Sequence, residues 1–592
     1  MKINTRSSAL IILFFLAHLF PNFAQQKFSV NLNDRTDDLF KVTLMPEKLT
    51  GRDSIFQFAS TAPGTYQTMD IGRYVRSLKA YDNNGTELSV KNISTNQWEI
   101  DNPSKIAKVV YTIADTWDNP VKENHLYAMC GTSLEDDHAV INGQAVFGYF
   151  HGHQHDPIEI KLDYPSDWSV GTALKKESNG IYTAANFDEV VDSPIMLGNL
   201  TKSSTNIENT TVDVYTYSKS GKINSDNIML LLEDILSATS QFTQGLPVDK
   251  YTFLFHFENF SAGAWEHNYS SFYVFNDGEL NDYMITELKS VAAHEFYHII
   301  TPLNIHSELI SNFNYEKPTM SQHIWLYEGV TEWASDILQL RDYLITLGEF
   351  GKIIRAKLEA NDHFDQSISL TELSLRSTEM QDQYPNIYMK GALVATLLDI
   401  RLLELSKGTK GLREIINQLY RDYGVHKAFS EKEFFDDFTN RTFPEIADFI
   451  NRYIKGTEKL PVKDYFAKLG IGYEEFAGVD SSKTSLGIAI GIKENRFYVI
   501  KAENPDSDGA KSGDIIVKVN GEEVTLQNAQ VKFGFMSKLK TGESFKLSVE
   551  RNGEEKEIKI VMQPRRIKHQ FNIIEDAPEE QLSLRSAWMK NL

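Results

Sequence analysis

Thr286-Glu287-Leu288-Lys289-Ser290-Val291-Ala292-Ala293-His294-Glu295-Phe296-Tyr297-His298 places H-E-x-x-H at the end of a run without Gly or Pro. Such a run predicts a helix. On a helix, positions i and i+4 share one face, so His294 and His298 can close on one metal ion. Glu295 is rotated about 100° from His294 and flanks that ion, where a general base must stand. Pro302 ends the helix soon after the second His. Chance supplies H-E-x-x-H in a chain this long on the order of a few per cent of the time, so the motif takes its weight from its surroundings.

Two imidazoles do not complete a catalytic zinc site, which needs a third protein ligand and an open position. Downstream, Ile324-Trp325-Leu326-Tyr327-Glu328-Gly329-Val330-Thr331-Glu332-Trp333 offers two carboxylates one helical turn apart. Glu328 is assigned as the ligand. Glu332 then accepts the free N–H of a ligating His and fixes its tautomer. A solvated surface is the ordinary fate of either Glu. Tyr388, in Tyr388-Met389-Lys390-Gly391, is the candidate donor to a developing oxyanion, although spacing alone does not separate it from the 26 tyrosines of the chain.

Upstream of the helix the sequence reads as strands. Phe28-Ser29-Val30-Asn31-Leu32 and Phe40-Lys41-Val42-Thr43-Leu44 alternate, and Asp82-Asn83-Asn84-Gly85 is a turn. A β-sandwich over residues 25–203 is the expectation. His151-Gly152-His153-Gln154-His155 reads as a turn with no evident carboxylate partner, not as a second metal site. From 204 to 465 the catalytic unit runs from strands into helices, with Ile228, Leu231, Leu232, Ile235 and Leu236 on one side of an early helix. Residues 466–563 return to strands, with Asn520-Gly521 and Asn552-Gly553 as hairpin turns and a helix expected over 527–539. The charged stretch 564–592 reads as a loosely held tail. The fold class is therefore multidomain α+β.

The net charge of −21 argues against nucleic acid as a partner. Lys2 and Arg6 precede the apolar Ala9–Leu16, and Asn22-Phe23-Ala24 suits cleavage, so residues 1–24 read as a signal peptide. Export to a periplasm or the exterior follows, with no stable membrane anchor after cleavage. Cys130 is the single cysteine, which excludes an internal disulfide and reads as a small buried side chain.

The motifs together resemble the gluzincin metallopeptidases and, across residues 27–562, the glycyl aminopeptidase family M61. Ala62-Pro63-Gly64-Thr65-Tyr66 is similar to that family's P-G-S/T-Y stretch. Gly263-Ala264-Trp265-Glu266-His267 is similar to its G-G-L-E-H motif, and Tyr388–Val394 to its Y-x-K-G-A-L-V. The resemblance implies a thermolysin-like zinc metallopeptidase domain with a helical C-terminal part and one zinc ion per chain. His294, His298 and Glu328 would bind the ion, Glu295 would be the base, and Tyr388 would donate to the tetrahedral intermediate. Gly263 and Ala264 would pair an extended substrate, and Glu266 would bind the free α-amine of a peptide. It implies an aminopeptidase favouring small N-terminal residues such as Gly or Ala. Ala264 and Trp265 depart from the motif and leave that preference open.

A PDZ domain is also typical of the family. Ser485-Leu486-Gly487-Ile488 is similar to its carboxylate-binding loop, and Gly513–Gly521 to the run that follows. Such a domain would bind a peptide C-terminus or serve as a packing module. A zinc endopeptidase, or a PDZ-bearing peptide-binding protein with weak catalysis, are the competing readings.

Overall fold

The computed structural model describes residues 26–590, apart from 120, 122, 260–261, 312, 425–426, 494–495, 503–508 and 526–527. The expected signal segment lies outside the described residues.

The N-terminal domain is β-rich. Its strands build one eight-stranded sheet and two four-stranded sheets. Gln26–Asn31 alternates buried and open positions, as a strand with one face on a core must. It pairs antiparallel with Leu39–Met45 and parallel with Ile158–Asp163. Phe28, Val42, Phe56, Phe58, Ile141 and Leu197 come from all three sheets into one core. The expected sandwich is thus met coarsely, with three sheets among the described residues. Cys130 is fully buried there, as expected.

A five-stranded sheet follows, ordered Thr201–Ile207, Thr210–Ser218, Lys250–Glu258, Ser270–Asn276 and Gly263–Glu266. Its first strand begins at Thr201, so the expected limit at 203 falls inside that strand. The break lies nearer Gly198, whose φ of +142° ends the preceding strand. Lys250–Glu258 runs parallel to both neighbours and is buried on both faces after Lys250, which explains its unbroken apolar reading. Gly263–Glu266 is the edge strand opposite Thr201–Ile207 and runs antiparallel to Ser270–Asn276.

Helices Ser225–Thr243 and Asp282–Tyr297 cover this sheet, and their N-termini are closed by Asn224 and Asn281 side chains. The second carries His294 and Glu295, with His298 at its C-cap. Further helices run from Thr331–Arg341 to Val462–Lys468 and share one core with the sheet. Trp325–Val330 forms a π-helical turn leading into Thr331–Arg341, so Glu328 lies within this turn and not at a plain helix start. A wide turn of this kind re-aims a side chain at a functional position.

Beyond this body, Ile471–Ser485 pairs with Gln563–Ile573 as a two-stranded ribbon. Between them Ile488–Val561 forms a six-stranded antiparallel sheet with its own core. Its helix, Ala529–Gly534 continued by a 3-10 turn over Phe535–Lys538, is shorter than expected.

The tail is not loosely held. After the ribbon strand, Glu579–Met589 forms a helix whose Trp588 is fully buried. The Arg341 Nε donates to the Trp588 carbonyl at 2.9 Å, and the Trp588 ring meets Phe350 edge to face. Its acidic residues gather in the first turn, while Leu584, Trp588 and Met589 pack on the helical core. Counting charge conceals that periodicity.

Candidate active site

Helix Asp282–Tyr297 ends with His298 as its C-cap, so both imidazoles of the H-E-x-x-H run sit in or beside its last turn. His294, His298 and Glu328 are buried, and their candidate donor atoms lie within 4.8 Å of one another. Glu328 Oε2 is 3.4 Å from His294 Nε2 and 3.6 Å from His298 Nε2.

The far side of each donor is held. His294 Nδ1 lies 2.8 Å from Glu332 Oε2, and His298 Nδ1 lies 2.8 Å from the Thr301 carbonyl. Donation from both Nδ1 atoms leaves both Nε2 lone pairs toward Glu328. The other oxygen of Glu328 accepts the Tyr66 hydroxyl at 3.0 Å. This donor set, two imidazoles and a carboxylate with oriented partners, fits a divalent zinc-class ion. Zinc would be held by His294, His298 and Glu328.

The charges point the same way. On protein groups alone, burial opposes a charged imidazole at His294, but hydrogen bonds to Glu328 and Glu332 outweigh it and hold its pKa well up. Burial pushes the Glu295 carboxyl up to about 8; His294 opposes this, while Glu328 and Glu332 add to it. Burial raises Glu266 as well, helped by Glu328 and Glu295. A cluster this rich in carboxylate draws protons, and a bound dication would displace them. Glu332 is different. Burial opposes its charge, but Lys357 and His294 hold its pKa well down. The Lys357 ammonium is itself buried against Glu332 and Asp336.

Glu266 ends the edge strand and faces the same space. Its carboxylate lies within 4.8 Å of ligand atoms on Glu295 and His298. Above it sits the Pro63-Gly64 turn of the N-terminal domain, fixed by a Trp265 Nε1 hydrogen bond to the Pro63 carbonyl at 3.1 Å. A Cβ on Gly64 would stand 2.3 Å from Glu266 Oε1, and the φ there is +74°, so only glycine fits without displacement. Gly263 and Ala264 are half-buried along the strand leading to Glu266. A cavity of about 250 Å³ opens beside Glu266, walled in part by Val191, Pro302, His306, Phe313 and Tyr315.

Tyr388 lies on helix Asn386–Leu405, its ring centre 5.6 Å from that of His294. Its hydroxyl is 3.0 Å from that of Tyr384. Gly391 on this helix abuts Gly329, the residue after Glu328. A Cβ on Gly329 would stand 2.5 Å from Gly391 Cα, so two glycines let the Glu328 and Tyr388 backbones meet.

All the site residues expected from sequence therefore gather around one space. Tyr66, Tyr384, Lys357 and the Thr301 carbonyl were not anticipated. The P-G-T-Y stretch is the only sequence signal for Tyr66; nothing in the sequence singles out Lys357. The His151–His155 stretch does have carboxylate partners, contrary to expectation; Glu316 and Asp53 come from distant sequence, and Asp156 is the neighbour three residues on. His151 pairs with Glu316, and His153 lies between Asp53 and Asp156.

A buried His-His-Glu cluster with a flanking Glu defines a metallopeptidase site. The profile of the Peptidase M61 N-terminal domain matches residues 27–199, and that of the M61 glycyl aminopeptidase matches residues 287–394. The chain belongs to the M61 glycyl aminopeptidase family and is a metallo-aminopeptidase. Neither profile reaches the C-terminal sheet. No curated protein matches the chain.

Among solved structures, an aminopeptidase N family protein from Idiomarina loihiensis is similar, with a TM-score of 0.77 at 20% identity over 95% of this chain and 100% of that one. That likeness establishes the shared fold. An M1 zinc metallopeptidase from Deinococcus radiodurans has a TM-score of 0.47 at 11% identity, covering 74% of this chain and 94% of that one. Yeast LTA4 hydrolase in complex with bestatin has a TM-score of 0.45 at 12% identity, covering 74% of this chain and 68% of that one.

Proposed function

We propose that the protein is a zinc-dependent aminopeptidase that hydrolyses the first peptide bond of peptides with a free N-terminus. One observation carries this reading. Glu266, Glu295 and Glu328 bury three carboxylates beside only two imidazoles. That excess suits two cations, a metal ion and a substrate ammonium.

Zinc, when bound, supplies a Lewis acid that polarises the scissile carbonyl and acidifies a water molecule. Glu266 receives the α-amine through a charge-assisted hydrogen bond and sets the register. Gly263 and Ala264 offer the open edge of the sheet to the substrate backbone. Glu295 takes the proton from the attacking water and passes it to the leaving amine. Tyr388 donates to the oxyanion. Glu332, backed by Lys357, keeps His294 in the ligating tautomer.

The test is hydrolysis of a panel of amino-acid arylamides by protein stripped with a chelator and reloaded with zinc. Absence of zinc-restored activity across the panel would overturn the reading. Cleavage of N-terminally blocked peptides would favour the endopeptidase alternative.

The proposal extends to the ends of the chain. Residues 466–563 are read as a PDZ domain taking a peptide C-terminus; what supports this is the separate antiparallel sheet and the Ser485–Ile488 loop, where Gly487 has φ +65°. The 1–24 segment supports export, and N-terminal sequencing of the mature protein tests it. Among the described residues no helix is long and apolar enough to cross a membrane.

A further inference from the structure

A second set of metal-ligating side chains converges where the N-terminal domain meets the catalytic sheet. His138 lies on strand His138–Ile141 of the N-terminal domain. His256 and Glu258 lie two apart on strand Lys250–Glu258, hence on one face. The three residues are 1%, 0% and 9% exposed, and their candidate ligand atoms lie within 4.8 Å of one another.

Glu258 Oε2 is 3.2 Å from His256 Nε2 and 3.7 Å from His138 Nε2. The matching separations in the candidate active site are 3.4 and 3.6 Å. Donors about 2.0–2.2 Å from one tetrahedral ion stand roughly 3.3–3.6 Å apart, so both clusters are close to ligating geometry.

Outer partners hold His138 and Glu258 here too. His138 Nδ1 is 2.9 Å from Asp137 Oδ1, and Asp137 Oδ2 accepts the Tyr217 hydroxyl at 3.0 Å. The other oxygen of Glu258 takes the Lys219 ammonium. The His256 ring is stacked on Tyr217. An Nδ1–H donated to Asp137 turns the Nε2 lone pair of His138 toward Glu258 Oε2. Two acceptors then face each other, and a cation between them removes the repulsion. Ser133 Oγ, 3.2 Å from His138 Nε2, offers the competing account: hydrogen bonds from Ser133 to His138 and from His256 to Glu258 close the cluster without an ion.

The geometry points to a second metal site, in which His138, His256 and Glu258 bind one zinc-class divalent ion that pins the N-terminal domain to the catalytic sheet. Two imidazoles and one carboxylate favour such an ion over calcium or magnesium, which take oxygen ligands. This inference is independent of the proposed activity.

The test uses the full chain stripped of metal and titrated with cobalt(II). Wild type should take up two equivalents. His294→Ala/His298→Ala should keep one, with the intense visible absorption of tetrahedral cobalt. Glu258→Gln in the otherwise native chain removes a ligand, so it should weaken one equivalent by more than the roughly 10- to 100-fold that losing an outer partner costs, enough to drop it from the titration, and leave peptidase activity unchanged. A His294→Ala/His298→Ala protein that folds but binds no cobalt would overturn the site. Should that variant fail to fold, the Glu258→Gln chain decides. One equivalent in both wild type and Glu258→Gln overturns the site, and a fall from two to one supports it.

Discussion

The Tyr66 hydroxyl of the N-terminal domain donates to Glu328 Oε1 across 262 positions of sequence, at 3.0 Å. The far domain thereby orients the Glu328 carboxylate, leaving Oε2 toward His294 and His298. Outer partners of this kind are worth about 10- to 100-fold in metal affinity. Tyr66→Phe should therefore weaken zinc binding by that factor while costing about 1 kcal/mol of stability. Competition against a chromogenic chelator measures it, and unchanged affinity would remove Tyr66 from the site.

Among the described residues no hydrogen bond or ion pair joins Glu295 to Glu332, Thr301 or Tyr66, so it can be altered without removing the partners of His294, His298 and Glu328. Glu295→Gln should lower kcat by about 10²- to 10⁴-fold, the usual contribution of a general base. Zinc content should stay at the wild-type value. Loss of zinc together with activity would recast Glu295 as a structural residue.

Glu266 separates the aminopeptidase from an endopeptidase. Glu266→Gln should cost about 1.5–3 kcal/mol of binding for a free amine, roughly 10- to 150-fold in kcat/KM on arylamides. Any cleavage of N-blocked peptides should be unaffected. The same arylamide panel probes the 250 Å³ cavity beside Glu266. Turnover there should extend beyond Gly and Ala, and strict confinement to those two would show that the cavity is not used.

The Gly329–Gly391 contact makes a prediction about packing. Gly391→Ala places a methyl 2.7 Å from Gly329 Cα. The helices must separate, at a cost of about 1–3 kcal/mol. Glu328 and Tyr388 would move apart with them. Calorimetry should show a lower Tm, and activity should fall further than zinc content does.

Asp362 joins the C-terminal ribbon to the helical body by accepting from His569 Nε2 and Lys568 Nζ, each at 3.1 Å. Burial raises its pKa, but these two hydrogen bonds outweigh it and hold it down to about 2, against 3.8 for a free aspartate. A depressed carboxyl stabilises the fold above the unfolded pKa, and that stability is lost as pH falls through the folded one. The window is therefore about pH 4 down to about 2, and its ceiling is roughly 2 kcal/mol. Limited proteolysis should release the ribbon progressively in that window. Asp362→Asn should be insensitive to pH there.

Much of the candidate site was legible because helical spacing ties His294, Glu295 and His298 together locally, and Glu328 to Glu332 in the same way. Glu266 and Tyr388 were legible only through resemblance, since nothing local links them to helix Asp282–Tyr297. Tyr66 and Lys357 escaped for a physical reason. Their roles depend on which distant backbone they meet, and that is decided by packing, not period. The fold divides similarly. Alternation revealed the N-terminal strands but not their grouping into three sheets. The acidic first turn of Glu579–Met589 concealed the apolar side that buries Trp588.

The Pro63-Gly64 turn has one more consequence. It stands against Glu266 so tightly that even a methyl on Gly64 would collide. A peptide lying along Gly263–Glu266 would therefore meet a wall just past its first residue. An upstream residue would have no room to continue, whatever its side chain. The N-terminal domain would then act as a length gauge, admitting chain ends and turning away chain middles by obstruction as well as by charge.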